Sequence, residues 1–116
     1  MRALIIEQES LIAFTIEDAL RDIGFTAFDF ACSVEDAVAA ANKTCPDLIT
    51  SDVRLGSGTG IDAIQEICAE KPIPVVFVTA TAWEVRARLP DVVVVQKPFG
   101  SADLQLAVAA ARAGVQ

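Results

Sequence analysis

The chain has 116 residues, 53% of them hydrophobic and 22% charged, which is enough apolar material to offset chain entropy and excludes a disordered tail. Its 9 basic and 16 acidic residues give a formal net charge of -7, which repels a phosphate backbone and argues against nucleic-acid binding. It contains no histidine, so the commonest general base and transition-metal ligand are missing and the chain cannot itself carry phosphohistidine chemistry.

Taken in order, Ala3 to Ile6 reads as a first strand, followed at once by Glu7-Gln8-Glu9. A helix follows with apolar positions at Leu11, Phe14, Ile16, Ala19, Leu20 and Ile23, stopped by Gly24. Thr26 to Phe30 is the second strand. Ser33 and Asp36 form a capping-box-like Ser-x-x-Asp that opens a second helix through Ala37 to Ala41, and Pro46 forbids its extension. Asp47 to Thr50 is the third strand, running into Ser51-Asp52. Gly56-Ser57-Gly58-Thr59-Gly60 lacks both the GxGxxG spacing and the place after the first strand that a dinucleotide loop needs, so it reads as a flexible loop leading to a third helix over Ile61 to Glu70. Pro74 to Thr79 is the fourth strand, and Val92 to Val95 the fifth. Between them Ala82 to Leu89, closed by Pro90, has room only for a short or irregular fourth helix. Lys97-Pro98-Phe99 precedes a last helix from Ser101 to about Ala113, with Gly114 as its stop.

Strands alternate with helices throughout, and several strands are unbroken apolar runs, as a parallel sheet covered on both faces requires. The expected fold is α/β: a flavodoxin-like doubly wound five-stranded parallel sheet of order 2-1-3-4-5, with helices on both faces. No linker or repeat divides the chain, so residues 1–116 read as one domain. Cys32, Cys45 and Cys68 are odd in number and lack CxxC spacing, which suggests neither a disulfide nor a zinc site. They read as small core or half-exposed thiols in a reducing, cytoplasmic setting. No apolar run approaches the roughly 20 residues of a membrane span.

In doubly wound sheets ligands bind beyond the carboxyl ends of the strands. There this sequence places Glu7-Gln8-Glu9, Ser51-Asp52, Thr79 and Lys97. Carboxylates from adjacent strands repel one another, and a hard cation such as Mg²⁺, held by oxygen ligands, relieves that repulsion. A carboxylate can also attack phosphorus while a metal, an amine and a hydroxyl neutralise the transferring oxygens. Asp52, Lys97 and Thr79 suit those roles. Each alone is ordinary: a strand-end aspartate capping a turn, an exposed lysine, a threonine with β-propensity. Only their convergence points to chemistry.

With Ala-Leu-Ile-Ile-Glu-Gln-Glu-Ser-Leu-Ile-Ala at its start, Pro-Asp-Leu-Ile-Thr-Ser-Asp-Val-Arg-Leu in the middle, then Pro-Val-Val-Phe-Val-Thr-Ala and Gln-Lys-Pro-Phe, the whole chain resembles the receiver domains of bacterial two-component response regulators. The resemblance implies that Asp52 accepts a phosphoryl group from a phosphohistidine on a sensor histidine kinase or histidine phosphotransfer protein, with Mg²⁺ required. It further implies that Thr79 is the switch hydroxyl and that Lys97 pairs with the phosphoryl oxygens. Glu7, Asp52 and the backbone carbonyl of Arg54 become metal ligands, Arg54 and Thr81 tune dephosphorylation, and Pro98 follows a cis peptide. The chain would be a signalling module rather than an enzyme, beyond self-catalysed phosphorylation and dephosphorylation.

Three departures from the family pattern stand out. Gln8 replaces the second acid that usually contacts the metal, which lowers the expected Mg²⁺ affinity. Val94 replaces the switch aromatic. The fourth helix is trimmed, and Phe77-Val78-Thr79-Ala80 loosely resembles the Phe-Ala-Thr-Gly motif of an alphaproteobacterial single-domain subgroup. The alternative is a pseudo-receiver, a scaffold that binds partners without efficient phosphorylation. With Met1 close to the first strand, a single-domain regulator is expected, the other reading being a receiver excised from a longer protein. Partners are a phosphodonor protein and a downstream protein, with no nucleic acid and no membrane. The face made by the short fourth helix, the fifth strand and the last helix admits a homodimer.

Overall fold

A computed structural model describes residues 1–56 and 58–114, so Ser57 of the glycine-rich loop lies outside the described residues. Five strands, β1 (Arg2–Ile6), β2 (Ala27–Ala31), β3 (Leu48–Ser51), β4 (Val75–Thr79) and β5 (Val93–Gln96), alternate with five helices. The helices are α1 (Ser10–Arg21), α2 (Val34–Lys43), α3 (Gly60–Ile67), α4 (Ala82–Arg88) and α5 (Ser101–Gly114). All pairings are parallel and the sheet order is β2-β1-β3-β4-β5, as expected.

Side chains of successive strand residues point to opposite faces, so each apolar run feeds two cores. Ala3 and Ile5 of β1, Val76 and Val78 of β4 and Val95 of β5 join Ile16 and Leu20 of α1 and Leu104 and Val108 of α5 on one side. Leu4, Ile6 and Phe77 face the other side with Ala37 of α2, Ile61 and Ile64 of α3 and Val85 of α4. This double demand is why the central strands read as continuous rather than alternating apolar segments. β2, at the sheet edge, is only partly covered, and there Arg2 reaches Asp29 at 2.9 Å.

The structure departs from the sequence expectations locally. Leu11 and Phe14 are exposed, whereas Ile12, Ala13, Ile16, Ala19, Leu20 and Ile23 face the core; this is the set that i, i+3, i+4 spacing keeps on one stripe. α1 ends before Gly24, whose φ of 104° needs glycine. α3 stops at Ile67, short of Glu70, with Cys68 as its cap; Pro72 and Pro74 then hold the chain extended toward β4. Cys32 and Cys45 are exposed rather than core, and Cys68 is half-buried. α4 has only 7 residues, as the spacing between β4 and β5 requires. Among the described residues no helix is long and apolar enough to cross a membrane.

Phe77 is fully buried in the central sheet. Phe77→Ala is expected to cost about 3–5 kcal/mol, read as a lowered urea midpoint at unchanged denaturant slope.

Candidate functional site

The carboxyl ends of β1, β3, β4 and β5 surround a cavity of about 230 Å³ lined by Glu7, Gln8, Glu9, Asp52, Arg54, Thr79, Ala80, Thr81 and Lys97. Every side chain singled out from the sequence as a site residue lies on this one cavity. The parallel register accounts for part of the convergence: Ile6 pairs with Ser51, Ser51 with Phe77 and Phe77 with Val94, so Glu7 and Asp52 stand side by side at the strand ends while Thr79 lies one residue and Lys97 two residues beyond their level.

Lys97 organises the cavity. Its ammonium donates to Glu7 Oε1 and to Asp52 Oδ2, each at 2.9 Å, and its side chain is largely shielded from solvent. Glu7 is buried and also accepts the Glu9 N–H through Oε2 at 3.1 Å. Asp52 Oδ1 accepts the Val53 N–H. Burial pushes the Glu7 carboxyl above its ordinary value, against the pull of Lys97. Burial alone would lower the Lys97 ammonium, but hydrogen bonds to Asp52 and Glu7 outweigh it and hold the group above its ordinary value. Lys97-Pro98 is cis.

The hydroxyl of Thr79 lies 3.2 Å from the Thr81 hydroxyl and accepts the Thr81 N–H at 3.1 Å. Arg54 turns its guanidinium toward α4 and pairs with Glu84 at 2.8 Å. Val94 is half-buried against the α2–α3–α4 core.

Three supporting residues were given no role from the sequence. Gln96, at the end of β5, accepts the Ala82 N–H at 3.2 Å and donates to the Ala80 carbonyl at 2.6 Å, so it clamps both sides of the loop that carries Thr81. Ser51 donates to the Asp52 carbonyl at 2.8 Å. Gly60 begins α3 so close to β3 that a Cβ there would overlap the Asp52 carbonyl oxygen and the Ser51 hydroxyl. The glycine-rich loop therefore does carry a constraint, one of packing rather than phosphate binding.

Oxygen donors of the kind Mg²⁺ prefers are present, and the cavity fits such an ion by donor chemistry. Among the described residues, however, no three His, Cys, Asp or Glu side chains group around one metal-sized position. The side-chain oxygens on the cavity lining include those of Glu7, Asp52 and the neutral amide of Gln8.

Gly60→Ala is expected to force α3 away from Asp52 and to lower stability by roughly 1–3 kcal/mol, measured by urea unfolding.

Comparison with known proteins agrees with this geometry. The family model for the response regulator receiver domain matches residues 3–109. The transcriptional regulatory protein PdtaR of Mycobacterium tuberculosis is 35% identical over 107 residues, covering 89% of this chain and 52% of that protein. The chain thus spans about half the length of that relative. Among solved structures, the PhyR response regulator REC domain of Erythrobacter litoralis superposes with a TM-score of 0.89 at 28% identity, covering 99% of this chain and 92% of that one. The anti-anti-sigma factor PhyR of Bartonella quintana superposes with a TM-score of 0.81 at 31% identity, covering 97% of this chain and 46% of that one. With its strand-end cavity, its sheet order and a family match over nearly its full length, the chain belongs to the response regulator receiver domains.

Proposed function

We propose that the chain is a phosphoacceptor receiver in which Asp52 takes a phosphoryl group from a phosphohistidine on a partner kinase or phosphotransfer protein. The observation that carries this reading is the shared Lys97 ammonium, 2.9 Å from both Glu7 and Asp52, with the Thr79 and Thr81 hydroxyls lining the same cavity.

An oxygen of Asp52 attacks phosphorus in line with the partner's imidazole nitrogen. The P–N bond breaks as the P–O bond forms, and the nitrogen keeps the electron pair. Lys97 is already within hydrogen-bond reach of Asp52, so it meets the incoming oxygens without reorganising. The Thr79 hydroxyl leaves Thr81 and donates to a phosphoryl oxygen. Glu7 keeps Lys97 charged and fixed. Small Ala80 leaves the donor access, and Arg54 and Thr81, at the rim, set how readily water reaches the acyl phosphate.

A bound Mg²⁺, held by Glu7, Asp52, the Arg54 carbonyl and the Gln8 side-chain oxygen, would supply charge neutralisation at the phosphoryl oxygens. With a neutral amide at Gln8 in place of an acid, its affinity is lower than a third carboxylate would give. That weakness favours one other reading, a pseudo-receiver that binds partners without efficient phosphorylation.

The rest of the proposal follows from the same site. The chain is a cytoplasmic signalling module, residues 1–116 forming one receiver domain. It acts by changing its affinity for a protein, in keeping with the anti-anti-sigma description of the Bartonella quintana relative, and homodimers through the α4–β5–α5 face are an available assembly.

Intact-mass measurement after incubation with acetyl phosphate tests this. We expect one added phosphoryl group that requires Mg²⁺ and is lost in Asp52→Asn; no gain with either acetyl phosphate or a phosphohistidine donor would leave the pseudo-receiver. Gln8→Asp is expected to tighten Mg²⁺ binding several-fold in a metal titration, and an unchanged affinity would remove Gln8 from the metal site.

A further inference from the structure

Three helices open with a hydroxyl residue followed three positions later by an acid. In α2, the cap Ser33 is extended and its Oγ accepts the Asp36 N–H at 3.1 Å. In α3, the cap Thr59 is likewise extended; its Oγ1 accepts the Asp62 N–H at 3.1 Å and donates to the Asp62 carboxylate at 3.0 Å. Thr81 and Glu84 stand in the same relation at the start of α4, the spacing of a capping box, in which the hydroxyl accepts the acid's N–H and the carboxylate accepts the cap's N–H. That box is open. Thr81 makes no side-chain cap bond, and its ψ of 57° lies far from the 165° and 157° of Ser33 and Thr59. The Glu84 N–H turns instead to the Thr81 carbonyl at 3.0 Å, a tight-turn bond in place of a cap.

Both halves of the box are engaged by the phosphorylation site. The Thr81 N–H goes to Thr79 Oγ1 at 3.1 Å, and the Thr81 hydroxyl lies 3.2 Å from the same oxygen. The Glu84 carboxylate goes to Arg54 at 2.8 Å. The Arg54 side chain is 73% exposed, so this is a weak surface pair, and Arg54 lies two residues beyond Asp52 on the rim of the same cavity.

We propose that phosphorylation of Asp52 closes the Thr81–Glu84 capping box, because the phosphoryl oxygens draw Thr79 and Arg54 away from its two halves. The inference rests on the phosphoacceptor reading of Asp52. A phosphoryl group brings close to two negative charges and several strong acceptors, and it competes for a guanidinium and a hydroxyl that are loosely held at rest. Released together, the Thr81 N–H and the Glu84 carboxylate are each other's natural partners, and the freed Thr81 hydroxyl takes over the Glu84 N–H. At rest Gln96 holds both the Ala82 N–H and the Ala80 carbonyl, so the Thr81 peptide turns against that clamp as α4 passes from an uncapped to a capped helix.

Amide hydrogen exchange by NMR on the full chain, with phosphorylation followed by intact mass, tests this. In the native chain, exchange at Thr81 and Glu84 is expected to slow about fivefold on phosphorylation, the effect of a typical N-cap. Glu84→Ala should gain the same phosphoryl mass with no slowing at Thr81. Native exchange unchanged at full phosphorylation, or equal slowing in Glu84→Ala, overturns the proposal. The double variant Thr79→Val/Arg54→Met removes both competitors without phosphorylation and should slow exchange at Glu84 relative to the native chain; no slowing there overturns the capping exchange even if Asp52 accepts no phosphoryl group, a failure the mass measurement records separately.

Discussion

The site depends on one ammonium shared by two carboxylates. Glu7 is buried and Asp52 largely shielded, and they approach the same point from adjacent strands. Without a cation between them their repulsion and desolvation would drive one to take up a proton or move the strand ends apart. Lys97 enters from the far side of the sheet, from the residue after β5, and reaches across the end of β4 to do so. The order β2-β1-β3-β4-β5 is therefore an electrostatic requirement of the site as well as a packing solution, since it sets β1 and β3 side by side with β5 within one lysine's length.

Close backbone packing underlies the same point. Asp52 leaves β3 with its carbonyl accepting the Ser51 hydroxyl, while the Val53 carbonyl accepts the Gly60 N–H at 2.7 Å. α3 thereby begins against the backbone of the residue proposed to react, and the two cores fix the helices that press on it. The loop from Thr79 to Ala82 is held differently, by side chains: the Thr79 hydroxyl takes the Thr81 N–H, and the Gln96 amide bonds the Ala80 carbonyl and the Ala82 N–H.

Much of this was legible in the sequence for a physical reason. Parallel strands buried on both faces must be continuously apolar, and the polar residues that interrupt them then mark strand ends, so Glu7, Asp52, Thr79 and Lys97 announced themselves by position. Helix edges were less legible: Pro72 bounds α3 only at Lys71, and nothing in the sequence marks its end at Ile67, and Leu11 and Phe14 look core-facing until the helical stripe through Ile16 and Leu20 is fixed by α5. The bonds that Gln96 makes to Ala80 and Ala82, and the Arg54–Glu84 pair, join residues 14 to 30 positions apart and leave no local signature. Gly60 was hidden among neighbouring glycines, since composition alone does not tell a glycine needed for close approach from one that merely loosens a loop. The Thr81-x-x-Glu84 spacing was visible, yet nothing in the sequence showed that its partners would be taken by others.

Trp83 is the chain's only tryptophan, and there is no tyrosine. It lies between the two residues of the open cap, with 69% of its surface exposed. The intrinsic indole fluorescence of the protein therefore arises from a single ring on the short helix itself, so the protein carries its own optical reporter on the element whose end is tied to the strand-end cavity.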